Sequence, residues 1–323
     1  MGLTMEILKV KSLRIFFDTP SGTVKAVDGV SFSLRSGETL GIVGESGAGK
    51  SVTALSVMGM APRLGARFIS GEVWYRGRNL FENPGLYRDV RGKKISLIPQ
   101  EAGAALNPVI TVGRQMEELM QVHLGLAARE RRVRTAELLE SVEIPDPGTT
   151  AGMYPHQLSG GTIQRILLAM ALSCRPDILI ADEPASSLDT TLQGEILRLV
   201  GRVKEREGLA VVLISHDLGI IAQNSDRVMV MFGGRLMEYG EVRKVLRQPL
   251  HPYTTDLLEI YHCLERGAAG NARCRDHSTR AAGETAGCGY AARCDRAAEI
   301  CRLKRPTPKG FAGRVAACHN LSG

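Results

Sequence analysis

The chain has 323 residues, 44% hydrophobic and 23% charged, and carries a formal net charge of +7. That composition excludes a disordered or fibrous chain, and the length suggests about two domains. No apolar run approaches the ~18 residues needed to span a bilayer, which excludes an integral membrane protein of the helical kind.

The start, Met1 to Val10, has neither a basic leader nor a cleavable apolar segment, so a cytosolic chain is expected. The excess positive charge is diffuse. Its densest cluster, Arg129, Arg131, Arg132 and Arg134, falls on an expected amphipathic helix and reads as a solvated face rather than a nucleic-acid patch. Of the seven cysteines, Cys174 sits in an apolar run and is expected in the core, while the other six follow residue 260. In a cytosolic protein such clustering favours a metal or cluster site over disulfides.

Residues 6–35 read as β-structure. Leu13, Ile15 and Phe17 alternate with polar neighbours, as do Val30, Phe32 and Leu34, with a turn at Thr19-Pro20-Ser21-Gly22. Thr39 to Val43 is a short apolar strand. It runs into Gly44-Glu45-Ser46-Gly47-Ala48-Gly49-Lys50-Ser51, which fits G-x-x-x-x-G-K-[ST]. Ser51 to Met60 is proline-free and mostly apolar, the helix that should follow. A strand, a glycine loop and a helix in this order make a phosphate cradle. Backbone N–H groups point inward, the helix N-terminus adds its positive end, Lys50 reaches the β- and γ-phosphates and Ser51 sits on Mg²⁺.

Gly71 to Leu80 reads as a hairpin turning at Arg76-Gly77, and Ile95 to Ile98 as a strand ended by Pro99-Gln100. Residues 102–175 carry helical periodicity, for example Ala136, Leu138, Leu139 and Val142, and are expected to form an inserted helical subdomain. Within them Ser159-Gly160-Gly161 opens a helix, a second candidate anion site. An apolar strand ends at Asp182-Glu183, a helix spans Thr190 to Gly208, a strand runs from Ala210 to Ser215 before His216, and another covers Val228 to Phe232. Strands alternating with helices imply a parallel α/β core. From residue 242 the pattern weakens, with a short helix after His251-Pro252-Tyr253 and a poorly packed linker over 265–295.

A nucleoside triphosphatase needs phosphate clamps, a metal site, a water activator and a γ-phosphate sensor. Asp182 is placed to hold Mg²⁺, and Glu183 to polarise the attacking water as general base. Gln100 can reach Mg²⁺ or that water, and His216 can bond the γ-phosphate. Each ends a strand, where open α/β sheets bind ligands.

These segments together resemble the nucleotide-binding subunit of an ABC transporter over residues 5–260: a P-loop at 44–51, Gln100 as the Q-loop, LSGG at 158–161, ILIADE at 178–183, Ser187-Leu188-Asp189 as the D-loop and His216 as the switch histidine. The resemblance implies a P-loop ATPase core of parallel sheet plus antiparallel β subdomain, with the helical insert and a small cysteine-containing C-terminal extension. It places the ATPase domain at 1–241 and the extension at 242–323. It implies ATP and Mg²⁺ as cofactors and an aromatic ring on adenine, Phe17 or else Phe16. Gly44, Ser46, Gly47, Gly49, Lys50, Ser51 and Val52 would bind one nucleotide, with Gln100, Asp182, Glu183 and His216. Ser159, Gly160, Gly161 and Asp189 would serve the nucleotide of a partner subunit.

More narrowly the chain is similar to the ATP-binding subunits of dipeptide, oligopeptide and nickel importers, through LGIVGESGAGKS, Ala105-Leu106-Asn107-Pro108, Tyr154-Pro155-His156-Gln157 and His251-Pro252-Tyr253-Thr254. It departs from that group at Thr162-Ile163-Gln164 and at Ala185-Ser186-Ser187. The spacing Cys288-x5-Cys294-x6-Cys301-x16-Cys318 resembles that group's four-thiolate tail and implies a [4Fe–4S] cluster, with Zn²⁺ or no metal as alternatives; Cys263 and Cys274 have no place in it. The expected partners are a second, homologous ATPase subunit, two membrane permease subunits and, indirectly, an extracytoplasmic solute-binding protein. No nucleic acid is expected. The implied location is the cytoplasmic face of the membrane. The expected function is ATP-driven import of peptides, nickel or a related solute. A non-transport ABC ATPase, such as a component of a phosphonate-pathway complex, is the alternative.

Overall fold

The structure is a computed structural model describing residues 5–186, 188–265 and 286–321; Ser187 and Cys274 lie outside the described residues. The chain divides into two compact units. One gathers Arg35–Glu38 and Glu82–Leu213; the other gathers Ile7–Leu34, Thr39–Phe81 and the chain from Ile214 onward.

The second of these units contains an antiparallel sheet. Strands Glu6–Thr19 and Gly22–Arg35 lie side by side, and Phe68–Tyr75 pairs with the first so that Val10 faces Val73 and Ile15 faces Ile69. Alternation decides the faces: Leu13, Ile15, Val30 and Leu34 are each buried completely. The register shifts between Lys11 and Arg14, where Ser12 takes φ 47° and its N–H donates to Ser31 Oγ at 2.8 Å. Gly71 lies against this bulge; a Cβ there would come within 2.7 Å of the Lys11 carbonyl.

The same unit holds a mixed sheet. Thr39–Val43 is buried along its whole length and runs parallel to Arg227–Phe232, with Ile42 beside Met229. Burial on both faces is why this strand reads as a continuous apolar run. Arg235–Glu241 turns back against Arg227–Phe232, and Arg314–Ala316 and Lys309–Phe311 extend the sheet antiparallel.

The other unit is built on parallel strands Ile95–Ile98 and Ile178–Asp182, with Ile98 beside Ala181. Helices Ala102–Ala105, Val112–Leu124, Ala128–Ser141, Pro147–Gly152 and Gly160–Leu172 fill the stretch expected to be helical. Thr190–Glu207 follows, stopped by Gly208 in a left-handed C-cap at φ 67°. Cys174 is buried, as expected. No helix among the described residues is long and apolar enough to cross a membrane.

Two expectations are corrected. Ala136 is exposed, and the buried face of its helix is formed by Thr135, Leu139 and, at its end, Val142. Leu139 and Val142 face inward as expected, and the N-terminal member of the row is Thr135, one residue before Ala136 and about 100° round the helix from it. Within the expected linker, residues 287–291 are packed, and residues 266–285 lie outside the described residues. Tyr290 is 1% exposed, with its ring 5.1 Å from that of Tyr253 and 5.3 Å from that of Phe232. Hydrophobic periodicity cannot register a segment of turns that buries one large ring.

Candidate functional site

The expected phosphate loop follows directly from the buried strand Thr39–Val43 and opens the helix Lys50–Val57. Its glycines are required by geometry. Gly49 has φ 93°, and a Cβ there would stand 2.2 Å from the Ala26 carbonyl; at Gly44 it would stand 2.2 Å from that of Met231. No side chain fits either position without moving backbone. Lys50 is 6% exposed, and its ammonium donates to the carbonyls of Gly44 at 2.8 Å and Glu45 at 3.0 Å. The loop therefore holds its own cation at its centre. Ser51 and Val52 are half-buried in the first helical turn. His216 is exposed just beyond the strand Ala210–Ser215, and Asp217 after it caps the next helix by accepting from Gly219 N–H at 2.7 Å. Phe16 stacks on Phe68 with ring centroids 4.9 Å apart, and Phe17 is half-buried.

Asp182, Glu183 and Gln100 belong to the other unit. Asp182 ends its strand at 5% exposure. Glu183 takes φ 49°, a left-handed conformation sparsely populated by residues with side chains. Gln100 Nε2 donates to Glu183 Oε2 at 3.3 Å, so two of the expected chemical residues meet. In this unit Ser159 caps helix Gly160–Leu172: its Oγ accepts from Thr162 N–H at 3.3 Å and lies 2.8 Å from Thr162 Oγ1. Ser159 and Gly160 are exposed. The N-terminal N–H groups of that helix are thus presented at the surface, whereas Gly161 is buried, with its Cα facing Leu192. Asp189 Oδ1 accepts from Thr191 and Leu192 N–H, both at 3.0 Å, and caps the helix Thr190–Glu207.

The region after residue 242 is anchored by a buried carboxylate. Glu238 is fully buried and accepts from the N–H of Leu250 at 3.0 Å and of His251 at 3.1 Å. Burial pushes its carboxyl up, opposed by those two donors. His251 Nδ1 in turn accepts from Tyr253 N–H at 3.1 Å, which fixes the start of helix Pro252–Glu265. Burial pushes His251 down to about 4, so it is neutral at physiological pH and can accept that bond.

Cys288, Cys294, Cys301 and Cys318 line one small cavity with His251, Tyr290 and His319. No disulfide joins them. Burial pushes the thiols of Cys288, Cys294 and Cys318 up, and the neighbouring thiols add to the rise. The four expected ligands therefore converge, yet among the described residues no three His, Cys, Asp or Glu stand close enough to hold a metal ion. Cys263 takes no part in this cavity.

The contacts of Glu45 with Tyr253 and Arg293 were missed from sequence. They join residues 208 and 248 positions apart, and no local pattern carries such a signal.

Two family profiles match the chain. One, described as ABC transporter, covers residues 27–186; the other, described as oligopeptide/dipeptide transporter, C-terminal region, covers residues 237–301. A probable peptide ABC transporter ATP-binding protein, y4tR of Sinorhizobium fredii, is 42% identical over 97% of this chain and 94% of its own length. The oligopeptide transport ATP-binding protein OppD of Salmonella typhimurium is 40% identical over 97% of this chain and 93% of its own. Among solved structures, the dimeric post-hydrolysis state of the ATP-binding cassette MJ0796, bound to ADP and Pi, is similar with a TM-score of 0.64 and 26% identity. It covers 73% of this chain and 99% of that one.

Proposed function

The chain belongs to the ABC transporter ATP-binding proteins, and from that premise we propose that it is the ATP-hydrolysing subunit of a peptide importer. The observation that carries this reading is full-length similarity of about 40% to peptide-transport ATP-binding proteins, extending through the C-terminal region as well as the ATPase core. Nickel import and a non-transport role in a phosphonate pathway draw no support from these relatives.

In this reading Gly44, Ser46, Gly47, Gly49, Lys50, Ser51 and Val52 cradle the phosphates, and Phe17 stacks on adenine. Ser51, Asp182 and Gln100 would hold Mg²⁺, which would neutralise phosphate charge. Glu183 takes a proton from the attacking water as its oxygen bonds the γ-phosphorus. The bond to the β-phosphate bridging oxygen breaks, leaving ADP and phosphate. His216 bonds the γ-phosphate. Ser159, Gly160 and Gly161 at the start of their helix, the first two exposed, serve the nucleotide of a second ATPase subunit across a dimer, together with Asp189. Two permease subunits complete the importer, with a solute-binding protein on the far side, and the chain sits on the cytoplasmic face of the membrane. Residues 1–241 form the ATPase domain, with the helical subdomain at 102–175, and residues 242–323 form its extension.

We further propose that Cys288, Cys294, Cys301 and Cys318 hold a [4Fe–4S] cluster or Zn²⁺ as thiolates. The support is their convergence on one cavity and the softness of four sulfur donors. A bound group there would cross-link the turns that carry them.

Anaerobic affinity purification of the tagged chain from detergent-solubilised membranes tests both points. The expected result is co-purification of two membrane proteins and a second ATPase, and about four irons per chain if a [4Fe–4S] cluster is present. A chain recovered alone from membranes would contradict the importer reading. A chain without iron or zinc would contradict the cysteine proposal only.

A further inference from the structure

Glu45, the second residue of the phosphate loop, is held at every polar group it owns. Its carbonyl accepts from Lys50 Nζ at 3.0 Å. Its N–H donates to the Tyr253 hydroxyl at 3.1 Å. Both of its carboxylate oxygens accept from Arg293 Nη1, each at 3.0 Å. Two of these three partners lie beyond residue 242, outside the segment expected to make up the ATPase core.

Neither partner is a passing surface contact. The Arg293 side chain is only 8% exposed, against 38% for Glu45, and its guanidinium lies 5.2 Å from the centre of the Phe232 ring. The backbone N–H groups of Arg293 and Cys294 both donate to the Tyr290 carbonyl, which fixes the turn that carries the arginine. Tyr253 is 1% exposed and packs edge-on against Phe232 at 4.8 Å. Phe232 ends the strand that pairs with Thr39–Val43, the strand that delivers the loop. One packed cluster therefore supports the loop from its strand side and grips its second residue.

The charge logic is specific. An exposed ion pair adds little to stability. Here, however, a carboxylate sits in a loop built to accept a polyanion. Left unmatched, that carboxylate would repel the phosphates and could turn toward the loop's own N–H donors. A nearly buried guanidinium donating to both oxygens neutralises it and fixes its direction.

We propose that Arg293 and Tyr253 are positioning residues for ATP binding: they pin Glu45 and cancel its charge, so that the phosphate loop is preorganised by the C-terminal extension. The inference rests on the ATPase reading and deepens it, because it makes residues 253 and 293 functional parts of the nucleotide site.

The test is MgATP binding to the full-length chain by isothermal titration calorimetry, with steady-state ATPase on the same preparations. Arg293→Met, which keeps the buried stem but loses the charge, is expected to raise the Kd for MgATP on the order of tenfold, as loss of a charge-assisted bond implies. The ATPase should show a raised KM with kcat changed far less. Adding Glu45→Gln to Arg293→Met should recover most of the lost affinity, an effect that a merely structural staple would not produce. Tyr253→Phe, which keeps the ring packing, should weaken binding by about threefold for one lost neutral hydrogen bond, and it carries the test if Arg293→Met does not fold. Wild-type affinity in Arg293→Met or Tyr253→Phe would overturn the proposal and leave the ATPase reading intact. So would failure of the double variant to recover. A wild-type chain that does not bind MgATP would overturn both.

Discussion

Glu183→Gln is expected to lower kcat for ATP hydrolysis by at least about a hundredfold while ATP still binds, as loss of a general base implies. The substitution preserves size and the ability to meet Gln100, whose Nε2 lies 3.3 Å from Glu183 Oε2. It removes only the capacity to take a proton from water. Glu183 follows the strand-ending Asp182 in a left-handed backbone conformation, φ 49°. Because hydrolysis is what would separate a nucleotide-bound dimer, the variant should accumulate as a dimer in MgATP. Phosphate release together with size-exclusion chromatography and light scattering reads both effects. Turnover within a factor of a few of wild type would remove Glu183 from the chemistry.

Lys50→Met should have a comparably large effect at the binding step, with MgATP affinity falling by about a hundredfold or more. Lys50 is 6% exposed, and its ammonium already points into the loop, onto the carbonyls of Gly44 and Glu45. Phosphate oxygens would exchange neutral carbonyl partners for charged ones, and charge-assisted bonds of about 1.5–3 kcal/mol each set the scale of the loss. Methionine fills the same volume, so unfolding temperature without nucleotide should change little, while stabilisation by MgATP disappears. Thermal unfolding with and without MgATP separates the two contributions. Full nucleotide stabilisation in Lys50→Met would place the phosphates elsewhere.

The parts legible in the sequence are those whose cause is local. Thr39 to Val43 announces a strand because it is buried on both faces, and the glycines that follow announce a loop because Gly44 and Gly49 leave no room for a Cβ. Asp182 and Glu183 stand out because acids at the end of a fully buried strand need a reason to be there. The helix starts after Ser159 and after Asp189 are legible from residue type and position alone, though the caps that the two side chains form appear only in the structure. Where the cause is tertiary the sequence is silent. Ala136 looks as eligible for the core as Leu139, and only the packing of its helix excludes it. Tyr290 lies in an Ala-, Gly- and Arg-rich stretch, and its burial depends on Phe232, Tyr253 and His251. Arg293 is one of 41 basic residues, and nothing but the fold distinguishes it as the one facing Glu45.

The most direct measurement of the central claim is peptide transport by the complete importer, purified with this chain and reconstituted in proteoliposomes with ATP on its side. The expected result is accumulation of labelled oligopeptide that depends on ATP, with hydrolysis rising when peptide-loaded binding protein is supplied on the far side. Substituting Lys50→Met or Glu183→Gln in this chain should reduce both signals together. ATP hydrolysis by the reconstituted complex with no peptide accumulation, and no response to the binding protein, would contradict peptide import as its function.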